Sequence, residues 1–299
     1  MKWFFVSTYI ASLCFVHFRG KARLPFLKQL FDHSTFMVPM NIVIYAFTRV
    51  PNTPFLSPKI FSDTKILEEN WEIIRDEALQ LMELNKIQAT KNNDDAGFNS
   101  FFKFGWKRFY LKWYDAKHPS SEKYCPRTVA LLRQAKTVKA AMFAELPSNG
   151  KLNPHRDPFA GSLRYHLGLI TPNDNRCFIE VNRQRYSWRD GESIIFDETF
   201  VHSAQNNTPT NRIILFCDIE RPMRYRWAQC VNGWLGKFMM SAAASPNEAG
   251  DDTGSINKLF RFVWYMGQYR RSLKAFNKSL YLSIKFALIA SVILAIIYL

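Results

Sequence analysis

The sequence predicts a mainly β protein with a double-stranded β-helix, or jelly roll, as its core. Two observations predict it. Between residues 140 and 222, short apolar runs alternate with turn signals at 147–150, 172–174 and 190–191. Histidine and carboxylate side chains stand at the ends of those runs, where the mouth of such a fold lies. Flanking helices and an anchoring helix at each end complete the predicted architecture.

The first 20 residues contain an apolar segment, 3–18, slightly shorter than the about 20 residues that a membrane span needs. Between this segment and the first acidic residue, Asp32, come only basic charges: Arg19, Lys21, Arg23 and Lys28. A cationic flank is typical of a segment that stays in the cytoplasm. Residues 1–20 are therefore predicted to be an N-terminal membrane anchor.

Residues 21–58 form a predicted juxtamembrane or interfacial segment. Within it, residues 36–47 are apolar but too few to cross a bilayer. They fit a helix in the membrane interface, and they also fit a core helix of the following domain. Three prolines indicate a linker to that domain: Pro51, Pro54 and Pro58.

Residues 59–240 are predicted to form one jelly-roll domain, a length in the usual range. Over 63–85 apolar residues recur every three or four positions, which predicts an amphipathic helix: Leu67, Trp71, Ile74, Ala78 and Leu81. The aromatic and basic run 101–114 alternates enough to contain strands.

Three side chains of this domain have the types and spacing of a metal site. His155 and Asp157 are two residues apart, so an extended chain points both to one face. His202 follows much later, after a strand-like run at 192–197. Two histidines and one carboxylate make the facial triad of a non-haem Fe(II) oxygenase, with open coordination positions. A lone His-x-Asp is a weak signal, so the surrounding residues matter.

Two predicted strands carry basic side chains that could belong to the same site. Arg212 begins the strand pattern 212–218, and a buried arginine is costly unless it is paired. A carboxylate of 2-oxoglutarate would pair it in bidentate form. Arg164 and His166 share one face of another strand, where they line either a ligand site or a solvated edge. The other face of that strand is apolar: Leu163, Tyr165, Leu167 and Leu169.

Residues 241–278 are predicted to be a basic, flexible and juxtamembrane segment. No acidic residue follows Asp252, and basic residues accumulate instead, as expected for contact with anionic head groups. Residues 279–299 are long and apolar enough for a C-terminal transmembrane helix. Basic flanks at both ends place the domain on the cytoplasmic side.

These motifs resemble the aspartyl/asparaginyl β-hydroxylase family of Fe(II)/2-oxoglutarate dioxygenases, and more closely the membrane-bound lipid A acyl-chain hydroxylases of Gram-negative bacteria. The residues that carry the resemblance are His155, Asp157, Arg164, His166, His202 and Arg212. The runs 19–32, 98–114 and 137–143 are also similar to that branch.

The resemblance implies Fe(II) as the metal, 2-oxoglutarate as cosubstrate and O₂ as oxidant. It assigns the metal to His155, Asp157 and His202, and the far carboxylate of the cosubstrate to Arg212. Arg164 and His166 are implied to lie near the cosubstrate. Trp106 matches a family tryptophan beside the cosubstrate, with core packing as the alternative. Ala144 departs from the pattern, because the animal hydroxylases have a serine there that contacts the cosubstrate.

The implied reaction is hydroxylation of a secondary acyl chain of lipid A, giving a 2-hydroxyacyl product at the cytoplasmic face of the bacterial inner membrane. The net charge of +15 agrees with an anionic membrane surface as partner. A β-hydroxylase of Asp or Asn side chains and a non-catalytic metal-binding membrane scaffold are the alternatives. No nucleic-acid partner is predicted, because the basic residues gather beside apolar segments without a recognition motif. The sequence makes no prediction of oligomeric state.

Overall fold

The computed structural model describes residues 2–30, 32–90 and 94–298. In chain order the strands are β1 (Phe55–Leu56), β2 (Lys107–Trp113), β3 (Val138–Leu146), β4 (Lys151–His155), β5 (Ser162–Ile170), β6 (Cys177–Val181), β7 (Gln184–Ser187), β8 (Ser193–Phe196), β9 (His202–Asn206) and β10 (Arg212–Glu220).

The helices, in chain order, are α1 (Lys2–Arg19), α2 (Phe26–Leu30), α3 (Val38–Phe47), α4 (Lys65–Glu69), α5 (Trp71–Glu83), α6 (Asn99–Phe102), α7 (Pro119–Tyr124), α8 (Pro126–Gln134), α9 (Arg226–Ser241), α10 (Ser255–Phe276) and α11 (Lys278–Tyr298). Short 3-10 helices occupy His33–Met37, Pro58–Ile60 and Ser62–Thr64.

The strands build two sheets that face each other. One sheet has the order β1-β8-β5-β10-β3-β2, and the other has the order β4-β9-β6-β7. Neighbouring strands in both are antiparallel. Apolar side chains from both sheets pack between them: Ala144, Leu146, Ile179, Val181, Phe196, Ala204 and Ile214. This arrangement agrees with the predicted mainly β jelly roll.

Strand β5 separates the two cores of the domain, as its alternating sequence predicts. One face packs against the helices α4, α5 and α8, in a core shared by Leu163, Tyr165, Leu167 and Leu169. The other face carries Arg164 and His166, and both side chains are buried, with His166 against Phe196. The polar face is therefore an interior one rather than a solvated edge.

The amphipathic helix expected over 63–85 forms, but it is interrupted at Asn70. The Asn70 side-chain amide donates to the carbonyl of Ile66 at 2.8 Å, which ends α4 before α5 begins. Such local side-chain bonds compete with helical backbone bonds. Ile74, Ala78 and Leu81 of α5 are fully buried against the sheet.

Two segments expected to be irregular are instead tied to the domain. The proline-rich linker contains β1, in which Phe55 pairs with Phe196 and Leu56 with Ile195. The segment expected to be flexible after residue 240 is bonded to β2. There Arg108 donates to the hydroxyl of Ser245 at 2.9 Å. Buried guanidinium and backbone groups of β2 need these partners, which explains why the segment is held in place.

Helices also occupy both predicted anchor segments. Helix α1 packs along α3. The buried residues of α3 are Val38, Asn41 and Ile44, and Val43 is exposed. Residue 299 and the side chains of 289 and 292–298 lie outside the described part of the chain. In the part that is described, no helix is both long and apolar enough to cross a membrane. The predicted anchors thus stay predictions.

Candidate active site

The three predicted metal donors lie together where β4 meets β9. His155 and His202 are register partners across these antiparallel strands, and their ring centroids are 4.2 Å apart. Asp157 follows β4 immediately, with its Oδ1 3.5 Å from Nε2 of His155. One ligand atom from each of the three residues lies within 4.8 Å of the others. This is the spacing that donors around one small cation need.

Both imidazoles are oriented by backbone carbonyls. The Nδ1 atom of His155 lies 2.9 Å from the carbonyl oxygen of Asn153, and that of His202 lies 3.0 Å from the carbonyl oxygen of Phe200. A carbonyl only accepts, so each Nδ1 carries the proton. In the neutral ring the lone pair then lies on Nε2, which is the form in which histidine binds metals.

The carboxylate of Asp157 is held by Arg164. The Nη2 atom of Arg164 donates to its Oδ2 at 2.6 Å, while Nη1 pairs with Asp218 at 2.6 Å. Glu198 completes a buried cluster of one guanidinium and three carboxyl groups. These contacts make Arg164 the support of a metal donor, and its proximity to the cosubstrate stays a prediction.

Burial and neighbouring charges set the protonation of this cluster. Burial raises the pKa of Asp157, but the charge of Arg164 outweighs it, joined at low pH by the two histidines once they are protonated, and the pKa lies well below its usual range. Burial raises the pKa of Glu198 well above its usual value. Burial, together with His155, lowers the pKa of His202 to about 3. Asp157 is thus ionised and His202 neutral at physiological pH, as metal binding requires.

Arg212 presents the opposite situation. Its side chain is completely buried at the start of β10, and none of its three guanidinium nitrogens has a hydrogen-bond partner among the residues that the structure describes. Burial lowers its pKa to about 10, partly offset by Cys177 and Glu145, so it stays charged at neutral pH. A thiol is only a weak acceptor. A buried charge without a strong partner indicates a place for an anionic ligand.

Two of the three metal donors, His155 and His202, belong together with Arg212 to one closed ring of side chains. Successive members are 4.2 to 6.0 Å apart, measured between ring centroids or from the Cζ atom of Arg212 to a centroid. In order around the ring they are His155, His202, Phe196, His166, Trp188, Arg212, Trp106 and Phe101. Along the ring, His155 and His202 are separated from Arg212 by Phe196, His166 and Trp188 in one direction and by Phe101 and Trp106 in the other.

His166 lies on this ring between the two. Its Nδ1 lies 3.4 Å from the indole nitrogen of Trp188, which can only donate. Nε2 therefore carries the proton, and it has no partner within the described residues. Burial and the charges of Arg212 and Arg164 lower the pKa of His166 well below its usual value. A neutral imidazole with one free N–H can donate to a carboxylate.

Trp106 packs in the core, as one of its two predicted interpretations has it, and it also contacts Arg212. Its indole packs in the apolar layer between the sheets and donates to the carbonyl of Lys151 at 3.1 Å. Its ring also faces Arg212, with 5.1 Å between the Cζ atom and the ring centroid. Ala144 belongs to the same apolar layer and pairs with Ile214, so this position offers no hydroxyl to a ligand.

The family model of aspartyl/asparaginyl beta-hydroxylase matches residues 68–222, just over half of the chain. The chain belongs to this family. The matched range contains every residue of the ring and the Arg164 cluster. The donor set, two neutral imidazoles and one carboxylate, suits a divalent transition metal such as Fe(II).

Two relatives illustrate the range of this family. The chain is 37% identical to an ornithine lipid ester-linked acyl 2-hydroxylase of Rhizobium tropici, over 40% of the chain and 43% of that protein. It is 27% identical to the aspartyl/asparaginyl beta-hydroxylase of Mus musculus, over 60% of the chain and 25% of that protein. The chain therefore spans less than half the length of these relatives.

Among solved structures, a Pseudomonas putida prolyl-4-hydroxylase overlaps with 52% of the chain and 88% of that protein. The TM-score is 0.36 and the identity is 12%. The fold assignment therefore stands on the strand order and sheet packing given above.

Several residues of the site carry no motif that sequence reasoning used. Trp188 and Phe196 enclose the ring, and Glu198 and Asp218 share Arg164. Asp218 was visible only as the last residue of the strand pattern that Arg212 begins. A charged residue within an otherwise apolar, buried strand is the signal that points to it.

Proposed function

We propose that this protein is an Fe(II)- and 2-oxoglutarate-dependent hydroxylase. The observation that carries the proposal is the ring described above, which links two donors of the three-donor metal cluster to a buried guanidinium that has no hydrogen-bond partner among the described residues. A dicarboxylate bound at the metal through one end and at Arg212 through the other would satisfy both. The Fe(II) centre supplies the oxidation, in which 2-oxoglutarate and O₂ give succinate and CO₂ as a substrate C–H becomes C–OH.

The protein residues place and protect the reactants. Arg212 binds the far carboxylate of 2-oxoglutarate through a bidentate, charge-assisted pair. His166 donates its free Nε2–H to the carboxylate at the metal end. Trp106 and Trp188 cover the guanidinium and exclude water, which strengthens its attraction for the ligand. Arg164 keeps Asp157 ionised and oriented.

We propose a membrane lipid as the substrate, oxidised at C2 of an ester-linked acyl chain. The Rhizobium tropici relative bears an acyl 2-hydroxylase name, which supports this class. The exposed surface of α1, α3 and α9 supports it independently, because large apolar side chains are exposed there: Ile10, Phe15, Phe18, Val43, Trp227, Val231, Trp234 and Phe238. Exposed apolar areas of this size are typical of membrane or protein contacts.

The charge of the same region favours an anionic membrane. The stretches 2–30 and 221–245 contain basic residues and no acidic residue. Aromatic contacts join the helices into one surface, with the rings of Phe47 and Trp227 4.9 Å apart. Lipid A, with its secondary acyl chain, is the substrate that we propose within this class. The proposed location is the inner membrane with the domain on the cytoplasmic side.

Mass spectrometry of lipid extracts tests the proposal. Cells that express the protein should contain lipid A heavier by one oxygen atom, and cells with Asp157→Ala should not. Asp174→Ala serves as the matched control, because it removes a carboxylate that pairs with Arg176 at the protein surface. Ornithine lipids from the same cells are analysed in parallel. Oxygen gained on those lipids alone would retain the acyl-chain hydroxylase and exclude lipid A.

Side-chain hydroxylation of peptides is the second candidate, favoured by the match to the mouse enzyme over 60% of the chain. Purified protein is incubated with Fe(II), 2-oxoglutarate and either lipid or an Asp/Asn-containing peptide, and succinate is measured. Succinate that depends on peptide but not on lipid would contradict the lipid proposal. Normal succinate formation by His202→Ala would contradict the metal site itself.

A further inference from the structure

The last residue of α1 is buried inside the catalytic domain. Nη2 of Arg19 pairs with Asp197 at 2.6 Å, and Nη1 donates to the hydroxyl of Thr199 at 2.7 Å. The guanidinium lies between the rings of Tyr45 and Phe200, 4.1 and 4.0 Å from their centroids. Only 3% of the Arg19 side chain is exposed. A helix expected to be an anchor thus ends in a contact with the loop between β8 and β9.

The backbone carbonyls of that loop orient two of the three metal donors, His202 and Asp157. The carbonyl of Phe200 accepts the Nδ1–H that orients His202. The carbonyl of Glu198 accepts the backbone N–H of Asp157 at 3.0 Å. Both carbonyls belong to the five-residue loop 197–201, which Arg19 contacts at Asp197, Thr199 and Phe200. A displacement of this loop would turn the His202 ring and shift Asp157 together.

A second bond from the same helical region holds the other side of the site. Asn41 of α3 is 3% exposed. Its side chain donates to the carbonyl of Pro158 at 2.9 Å and accepts from the backbone N–H of Ala160 at 2.9 Å. These two bonds clamp the segment that follows Asp157 directly.

The backbone after α1 is fixed to the same loop. The side-chain oxygen of Asn182 accepts from the N–H groups of Lys21 at 2.5 Å and Ala22 at 2.9 Å. The backbone N–H of Asn182 donates to Val201, the residue before His202. Arg19 therefore acts from a fixed position and not from the end of a loose helix.

We propose that Arg19 and Asn41 are positioning residues of the metal site, so that α1 and α3 complete the active site as well as covering the domain. Arg19 sets the loop that carries His202, and Asn41 sets the segment that carries Asp157. Groups that orient metal ligands typically change metal affinity about 10- to 100-fold when they are removed. The inference rests on the proposed metal site and is independent of the proposed lipid substrate.

Metal affinity of the full-length chain tests it. Arg19→Gln and Asn41→Ala are titrated with Co(II) without oxygen, and the visible absorption of the bound ion is followed. Each variant should bind Co(II) about 10- to 100-fold more weakly than wild type. The matched controls are Arg176→Gln, which breaks a surface Arg–Asp pair of 2.7 Å, and Asn207→Ala at an exposed position. Both should keep the wild-type affinity and spectrum.

The titration separates positioning from a purely structural role. A structural role would lower the melting temperature while the folded protein kept the wild-type Co(II) affinity and spectrum, and that result would overturn the inference. If Arg19→Gln does not fold, Asn41→Ala decides, and an unchanged affinity there overturns the inference. Failure of wild type itself to bind Co(II) would instead overturn the proposed metal site, on which the inference rests.

Discussion

Arg164 and Arg212 are both buried in the six-stranded sheet, but their charges are treated in opposite ways. Arg164 has ion pairs with Asp157, Glu198 and Asp218. Arg212 lies 4.3 Å from the ring of Trp188 and has no hydrogen-bond partner among the described residues. A buried charge that the protein compensates supports the structure, whereas one left uncompensated is held ready for a ligand.

Replacement of Arg164 by methionine should have the largest effect on stability. The change removes the cation shared by two buried carboxyl groups, Glu198 and Asp218, and by the half-buried Asp157. Breaking a buried pair on one side costs about 3–5 kcal/mol of the free energy of unfolding. Urea denaturation of the metal-free protein measures this change. A loss below about 1 kcal/mol would show that the cluster does not stabilise the fold, and Arg185→Met, which breaks the exposed pair with Glu180, is the control.

Replacement of Arg212 by methionine should leave stability unchanged or raise it, because it removes an uncompensated buried charge. Binding of 2-oxoglutarate should weaken instead. Truncating one partner of a buried charge pair costs about 2–5 kcal/mol, or roughly 30- to 5,000-fold in affinity. Isothermal titration of the metal-loaded protein measures it. Unchanged affinity would show that the guanidinium binds something else.

Added cosubstrate should stabilise the wild-type protein. At a concentration of 100 times its Kd, 2-oxoglutarate raises the free energy of unfolding by about 2.7 kcal/mol by mass action. The Arg212→Met variant should show at most about a third of this increase at the same concentration, while Arg185→Met should show all of it. Thermal melts with and without the ligand provide the measurement, and equal shifts in all three proteins would contradict the comparison.

A smaller effect is expected on the free energy of unfolding at acidic pH. Burial raises the pKa of Asp197, but Arg221 and Arg19 outweigh it, so the folded-state pKa lies below the unfolded value. The unfolded chain therefore takes up a proton near pH 3.9 while the folded protein does not. This stabilisation is complete above that pH and falls by up to about 1.4 kcal/mol per pH unit below it. Arg212 keeps its charge throughout and adds no such slope.

The Asp197→Asn variant should lose stability less steeply than wild type as the pH is lowered from 5 to 2.5. Denaturant midpoints at each pH measure the difference. Parallel curves for the two proteins would show that the pKa of Asp197 is the same in the folded and the unfolded state.

Local sequence patterns predicted much of the site. The two-residue period of β5 placed Arg164 and His166 on one shared face, which the structure shows to be interior, and the pair His155 and Asp157 fell on one side of the chain as expected. Both predictions depend only on the geometry of an extended strand. Arg212 was found because a charged residue at the head of an apolar strand is unusual and costly.

The contacts that support these residues could not be read from such patterns. Arg19 and Asp197 are 178 residues apart, and Asn41 and Pro158 are 117 apart. Nothing in either local sequence distinguishes them from surface residues; Arg19 reads as a topology signal of the anchor. Only the packing of α1 and α3 on the sheet brings them to the loops of the site. Long-range pairing with β8 likewise turned part of the expected proline-rich linker into β1.

Strand β4 lies at the edge of its sheet, next to β9 alone, and most of its residues are exposed. Its pairing is irregular between Leu152 and His155. An edge strand with few buried contacts is a unit that opens locally without global unfolding. A cation bound by His155 and His202 would cross-link β4 to β9. We therefore expect amide hydrogen exchange in β4 to slow when metal is added, so that metal release and the peeling of this strand are one event.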